Sequence, residues 1–241
     1  MPWCARPICT ARPSMLDVSR LQAGYGRARV VHDFSLSVGP GEVLGLVGRN
    51  GVGKTTSLKA ILGLVDVFGG TVSVRGHVAG PMSPVSACRL GIGYVSQQRE
   101  VCPELTVEQN LMLPLVANRL STAAVDGAYQ RFPRLAERRR QVAGSLSGGE
   151  RKLLAFARIM LLTPSIYLID EPTEGLMPKA VDEIGHLIAT IARDGAAVVV
   201  VEQNLALVRA VATRVALMNN GRIEATVDSL GAEEAERYLG V

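Results

Sequence analysis

The stretch Gly48-Arg49-Asn50-Gly51-Val52-Gly53-Lys54-Thr55-Thr56 decides the reading of this chain. Glycine, four residues, then Gly-Lys-Thr is the spacing that wraps backbone N–H groups around a polyphosphate. The run Val43 to Val47 before it suits a buried parallel strand, and Leu58, Ile61, Leu62 and Val65 after it recur at helical spacing. The stretch therefore joins a strand to a helix N-terminus. Its glycines can take positive φ and bring amides close to phosphate oxygens, while the helix end adds partial positive charge. Lys54 supplies a point charge for the β- and γ-phosphates, and the Thr55 hydroxyl is suited to Mg²⁺. Gly48 to Thr56 is predicted to hold a nucleoside triphosphate.

The totals bound what surrounds that site. A chain of 241 residues, 48% hydrophobic, can bury one α/β core with a smaller subdomain attached. Apolar runs such as Ala196 to Val201 fall short of the roughly 20 residues a membrane-spanning helix needs, so any membrane role is expected to come through a partner. The net charge of +4 does not point to nucleic acid, because only Arg138-Arg139-Arg140 forms a basic run, which reads as a solvated helix face. Cys4, Cys9, Cys88 and Cys102 lack paired metal-ligand spacing and read as reduced thiols. His32, His77 and His186 are dispersed and read as structural.

Met1 to Ser14 has no periodicity and no apolar signal core, and is expected to be a disordered tail, with Met15 as an alternative start. Leu16 to Val18 and Val31 to Val38 read as strands of an antiparallel layer, which continues at Thr71 to Arg75 after a Gly69-Gly70 turn. Tyr25, between Gly24 and Gly26, is either a turn filler or a platform for a flat base; the residues alone leave both open. Ile92 to Val95 is a short strand, followed by a mostly helical region from about Leu105 to Arg140 that Thr106 and Gln109 open as a capping box. Residues 97–160 are the expected helical subdomain, inserted in a domain of residues 15–241. Beyond it, Ile166 to Glu171 and Ala197 to Val201 alternate with helices, which means a parallel sheet. Asn219-Asn220-Gly221 predicts a hairpin, and Ala232 to Leu239 a last helix.

Ligands of such sheets sit at the carboxyl ends of the strands, where the phosphate loop, Asp170-Glu171 and Gln203 all fall. Asp170 is expected to hold Mg²⁺ opposite Thr55, and Glu171 to orient an attacking water. Gln97 also follows a strand; its amide reaches the metal or the water, or it is a plain turn residue. Ser147-Gly148-Gly149 is a second helix entry with exposed amides, either an ordinary cap or a grip on a nucleotide held by another subunit.

Taken in order and at these separations, Gly48 to Thr55, Leu146-Ser147-Gly148-Gly149-Glu150 and Ile166 to Glu171 resemble an ABC-transporter ATP-binding subunit over roughly Leu16 to Val241. The resemblance implies an α/β fold: a mixed-sheet ATPase core, an antiparallel β layer and an inserted helical subdomain. It implies Mg-ATP bound by Lys54, Thr55, Gln97, Asp170 and Glu171, and adenine stacked on Tyr25. Ser147 to Glu150 match the signature that meets a partner's γ-phosphate, which implies two ATPs sandwiched between two subunits, the second being a different chain or an identical copy. Transmembrane permease subunits, a substrate-binding protein acting through them, no nucleic acid, and a peripheral place on the cytoplasmic face of the inner membrane are implied as well.

Within the family, Asp170-Glu171-Pro172-Thr173-Glu174-Gly175-Leu176 with Pro178, Val201-Glu202-Gln203-Asn204 and the closing Tyr238-Leu239-Gly240 are similar to the ATPases of branched-chain amino-acid importers and their urea and short-chain amide relatives. Gln203 stands where most members have a histidine, Met177-Pro178 where an aspartate usually lies, and Glu150 where the signature usually has glutamine. A neutral amide cannot trade protons as imidazole does, so Gln203 reads as a γ-phosphate sensor. A soluble repair or translation ATPase is the competing reading, although the long coiled coils, zinc spacings or tandem cassettes usual there are missing from this sequence.

Replacing Lys54 with alanine is expected to weaken ATP binding by about 1.5–3 kcal/mol, the value of a charge-assisted hydrogen bond, or roughly ten- to a hundredfold. Titration with a fluorescent ATP analogue measures it, and unchanged affinity would remove Gly48 to Thr56 as the phosphate site.

Overall fold

Three five-residue strands, β-branched or apolar at nearly every position, are buried throughout their length and form the centre of the molecule: Val43–Val47, Ile166–Asp170 and Ala197–Val201. The computed structural model describes residues 14–80, 82–98, 101–231 and 236. In chain order the strands are β1 (Leu16–Tyr25), β2 (Ala28–Val38), β3 (Val43–Val47), β4 (Asp66–Val74), β5 (His77–Val78), β6 (Ile92–Val95), β7 (Ile166–Asp170), β8 (Ala197–Val201), β9 (Arg214–Asn219) and β10 (Arg222–Val227). The helices are α1 (Lys54–Ile61), α2 (Pro84–Arg89), α3 (Val107–Ala117), α4 (Ala124–Arg131), α5 (Pro133–Glu137), α6 (Gly148–Met160), α7 (Pro178–Arg193) and α8 (Leu205–Val211).

Among the described residues the strands form one mixed sheet in the order β5-β4-β1-β2-β10-β9-β3-β8-β7-β6. β9, β3, β8, β7 and β6 are mutually parallel, whereas β1, β2, β4 and β5 pair antiparallel. Alternation along the central strands splits the core in two. Leu44, Leu46, Ile166, Leu168, Val199 and Val201 face α1 and the antiparallel layer. Val43, Tyr167, Ile169, Val198 and Val200 face the side on which Phe156 of α6, Ile188 of α7 and Leu111 of α3 pack.

Between β6 and β7 the described chain is helical, α3 to α6 with one 3₁₀ turn at Ala143–Ser145. Thr106 and Gln109 make the expected capping box, the Gln109 amide donating to Thr106 Oγ1 at 3.2 Å and the Thr106 amide to Gln109 Oε1 at 2.8 Å. Asn220 (φ 43°) and Gly221 (φ 74°) both take positive φ between β9 and β10, the geometry of a tight hairpin.

Three local expectations are corrected. Gly69-Gly70 is no turn, since β4 runs through it from Asp66 and pairs with β1 across a bulge. At Gly70 (φ 91°) a side-chain Cβ would sit 2.5 Å from the Arg20 carbonyl, so glycine serves close strand crossing there. β1 extends to Tyr25 because β2 and β4 pair with it on both edges. Arg138-Arg139-Arg140 follows the end of α5 in a turn, and Arg138 ion-pairs with Glu150 at 2.6 Å. The described strands and helices also include β5 and α2, unanticipated although Ser83 at the cap of α2 and Pro84 in its first turn are a helix-start signal. The Met1 to Ser14 tail, apart from Ser14, and nearly all of the helix expected from Ala232 to Leu239 lie outside the described residues.

Phe156 is fully buried between α6 and the sheet. Its replacement by alanine is expected to cost about 3–5 kcal/mol, read as a lower urea midpoint; a shift of under about 1 kcal/mol would show that the α6 face is not part of the cooperative core.

Candidate functional site

The phosphate loop leaves β3 and enters α1 with Gly51 at φ 82° and Gly53, the residue before the helix, at φ 106°. Both conformations are left-handed and suit glycine. Gly48 lies so close to β9 that a Cβ would meet the Met218 carbonyl at 2.3 Å. Lys54 is 4% exposed, and its ammonium donates to the Gly48 and Arg49 carbonyls at 2.8 and 3.1 Å. Burial pushes its pKa down, while Glu171, Asp170 and Glu202 raise it. The charge is thus held inside the loop and balanced by carboxylates.

Those carboxylates come off neighbouring strand ends. Asp170, the last residue of β7, is wholly buried; Thr55 Oγ1 donates to its Oδ1 at 3.0 Å and the Tyr94 hydroxyl to its Oδ2 at 3.2 Å. Burial raises the Asp170 pKa, and these two hydrogen bonds oppose the rise. Burial is also the chief cause of the raised Tyr94 pKa, so Tyr94 is a dependable donor. Glu171 takes φ 44°, a conformation costly for any residue with a Cβ, and its amide donates to the Val201 carbonyl at 2.9 Å. This turn ends the strand abruptly. The Glu171 carboxylate then lies between two amides: Gln97 Nε2 donates to Oε2 at 2.8 Å and Gln203 Nε2 to Oε1 at 2.9 Å. Gln97 also donates to Glu174 at 2.8 Å.

Asn50, Gly51, Gly53, Lys54, Thr55, Thr56, Gln97, Glu171 and Gln203 line one cleft, with Val30 and Glu174. Asp170 is not among the lining residues but is hydrogen-bonded to Thr55, which is. Gly48, Arg49 and Val52 complete the loop behind that lining. Tyr25, half exposed at the end of β1, and Ser147 to Glu150 are not among the lining residues. Ser147 instead caps α6: its hydroxyl donates to Glu150 Oε2 at 2.9 Å and accepts from the Glu150 amide at 3.3 Å. The capping bonds from Ser147, aided by Arg138, lower the Glu150 pKa against the opposing effect of burial. Gly149 approaches α7 so closely that a Cβ would touch Ala180 at 3.0 Å.

The donor set fits a hard divalent cation. Thr55, which lines the cleft, and Asp170 present adjacent oxygens, Thr55 Oγ1 and Asp170 Oδ1, and Mg²⁺ prefers oxygen ligands with phosphate completing its shell. Tyr94, Thr173, Glu174 and Glu202 were not singled out as site residues from sequence. Tyr94 and Glu202 stand at or next to strand ends beside residues that were, which was the available signal.

Comparison with known proteins accords with this geometry. The ABC transporter family profile matches residues 31–174. The high-affinity branched-chain amino acid transport ATP-binding protein BraG of Pseudomonas aeruginosa is 35% identical over 211 residues, covering 87% of this chain and 91% of BraG. The probable branched-chain amino acid transport ATP-binding protein LivF of Archaeoglobus fulgidus is 33% identical over 212 residues, 87% of this chain and 90% of its own. A solved ATP-binding cassette of an ABC transporter in its ADP conformation superposes with a TM-score of 0.81 at 25% identity, covering 94% of this chain and 95% of that one. A match of this extent, on a chain whose phosphate loop and Glu171 share one cleft, means that the chain belongs to the ABC transporter family.

Proposed function

We propose that this chain is the ATP-hydrolysing subunit of a membrane importer for branched-chain amino acids. The observation that carries the chemistry is the clamp on Glu171: two amides from different loops hold both oxygens of one carboxylate beside the phosphate loop. The substrate class rests on the likeness to the branched-chain amino acid subunits above. Urea and short-chain amides are the alternative cargo.

Lys54 and the loop amides bind the β- and γ-phosphates, and Tyr25 stacks on adenine. Thr55, Asp170 and Gln97 hold Mg²⁺, which when bound neutralises charge on the phosphates. Glu171 accepts a hydrogen bond from the attacking water and aligns it with the γ-phosphorus, and Gln203 keeps that carboxylate in place while sensing the γ-phosphate. Ser147, Gly148, Gly149 and Glu150 grip the ATP of a second ATPase subunit, a different chain or a second copy, so two ATPs close the pair. Among the described residues no helix is long and apolar enough to cross a membrane, so transport needs transmembrane permease subunits, fed by a substrate-binding protein. The chain then sits peripherally on the cytoplasmic face of the inner membrane. Gln97 lies between the cleft and the segment leading to α3, and so carries nucleotide state toward the helical region.

Glu171→Gln keeps size and removes charge. Nucleotide binding is expected to survive while turnover falls by about a hundredfold or more, and the variant should accumulate as an ATP-dependent dimer in size-exclusion chromatography with its partner or itself. Hydrolysis at the parental rate would remove Glu171 from its role. In hydrogen exchange, ATP and permease together are expected to protect Val107–Ala117 as well as the phosphate loop and α1; protection confined to residues 48–64 would refute the route through Gln97.

A further inference from the structure

Glu202 is a buried acid that the mechanism above leaves unused. It is 3% exposed, immediately after β8, and a carboxylate is expensive to bury unless its acceptor sites are filled. Here they are filled from two directions. Oε1 accepts from the Thr173 amide at 3.0 Å and from the Thr173 hydroxyl. Oε2 accepts from the amides of Gln203 and Asn204 at 2.8 and 3.0 Å.

Helix capping explains only half of this. The bonds to Gln203 and Asn204 could be the ordinary satisfaction of amides ahead of α8, whose own cap is the Asn204 side chain. The bonds to Thr173 reach across 29 residues into the loop that follows Glu171. They close a ring: Glu171 leads through Pro172 to Thr173, Thr173 to Glu202, Glu202 to Gln203, and Gln203 returns through its side chain to Glu171 Oε1. The Glu171 amide on the Val201 carbonyl braces the ring from the strand side.

We propose that Glu202 is a positioning residue for hydrolysis, tying the loop after Glu171 to the loop of Gln203 so that the Gln203 amide lands on the Glu171 carboxylate. This rests on the reading of Glu171 as the residue that aligns water. Glutamine at 202 keeps one acceptor oxygen but turns an NH₂ toward amide donors on one side, which opens the ring without changing bulk.

The test uses the full chain, assembled with its membrane subunits for turnover and alone for nucleotide binding and thermal melting. Glu202→Gln is expected to lower kcat about ten- to a hundredfold with KM and the affinity for a fluorescent ATP analogue within twofold. Combined with Gln203→Ala it should lose little more than Gln203→Ala alone, because both act through one contact. Thr173→Val, which folds around nearly the same volume, should lose turnover severalfold, and Thr173→Ser should keep it. Unchanged kcat in Glu202→Gln, losses that multiply in the double variant, or a fall in ATP affinity matching the fall in kcat would each overturn the proposal. Should Glu202→Gln fail to fold, the Thr173 pair decides alone, equal turnover in valine and serine variants overturning it. Glu171→Gln run alongside separates the two levels: if it is inactive while Glu202→Gln is normal, only the role of Glu202 falls, and if it turns over normally the underlying reading falls too.

Discussion

The register of β3, β8 and β7 is the constraint from which the site follows. Val43 pairs with Val198 and Ile166 with Ala197, so the three strands run level and end together. Both faces of each are covered, so a polar side chain within them would lack water and partners. Polar chemistry is therefore pushed to the carboxyl ends, where Asp170 closes β7 and Gly48 and Glu202 directly follow β3 and β8. A slip of one residue would exchange the faces of the central strand and break both cores at once.

Electrostatics explains what the assembled row accepts. Asp170, Glu171 and Glu202 all act on Lys54, the cation in their midst, and Glu174 joins them through Gln97. Buried carboxylates outnumber the ammonium, which favours a divalent cation at the Thr55–Asp170 end; burial is the main cause that raises the Asp170 pKa, and repulsion from Glu171 adds to it. Amides, not further cations, hold Glu171.

Much of this was legible because its causes are local. An apolar run buried on both faces, a Gly-Lys-Thr after it, a capping box at Thr106 and an Asn-Gly hairpin are each written in a few adjacent residues, and the structure has them where the sequence put them. The errors arose where a distant partner decided. Gly69-Gly70 reads as a turn until β1 is seen to need a close crossing, and the arginine run reads as a helix face until Glu150 draws Arg138 out at the end of α5. The ring through Glu202 and the Tyr94 hydroxyl on Asp170 span 29 and 76 residues, and no spacing rule encodes a hydrogen bond of that reach.

The glutamine at position 203 also bears on what Glu171 can accept. No histidine is among the described residues lining the cleft. Each carboxylate oxygen of Glu171 has room for two hydrogen bonds, and Gln97 and Gln203 occupy one on each. Because both are neutral donors, they orient the carboxylate without cancelling its charge. The remaining acceptor positions stay directed by that pinning. The strained turn at φ 44° has the same logic: it swings the carboxylate out of the sheet, and the amide bond to Val201 together with the two glutamines holds it there.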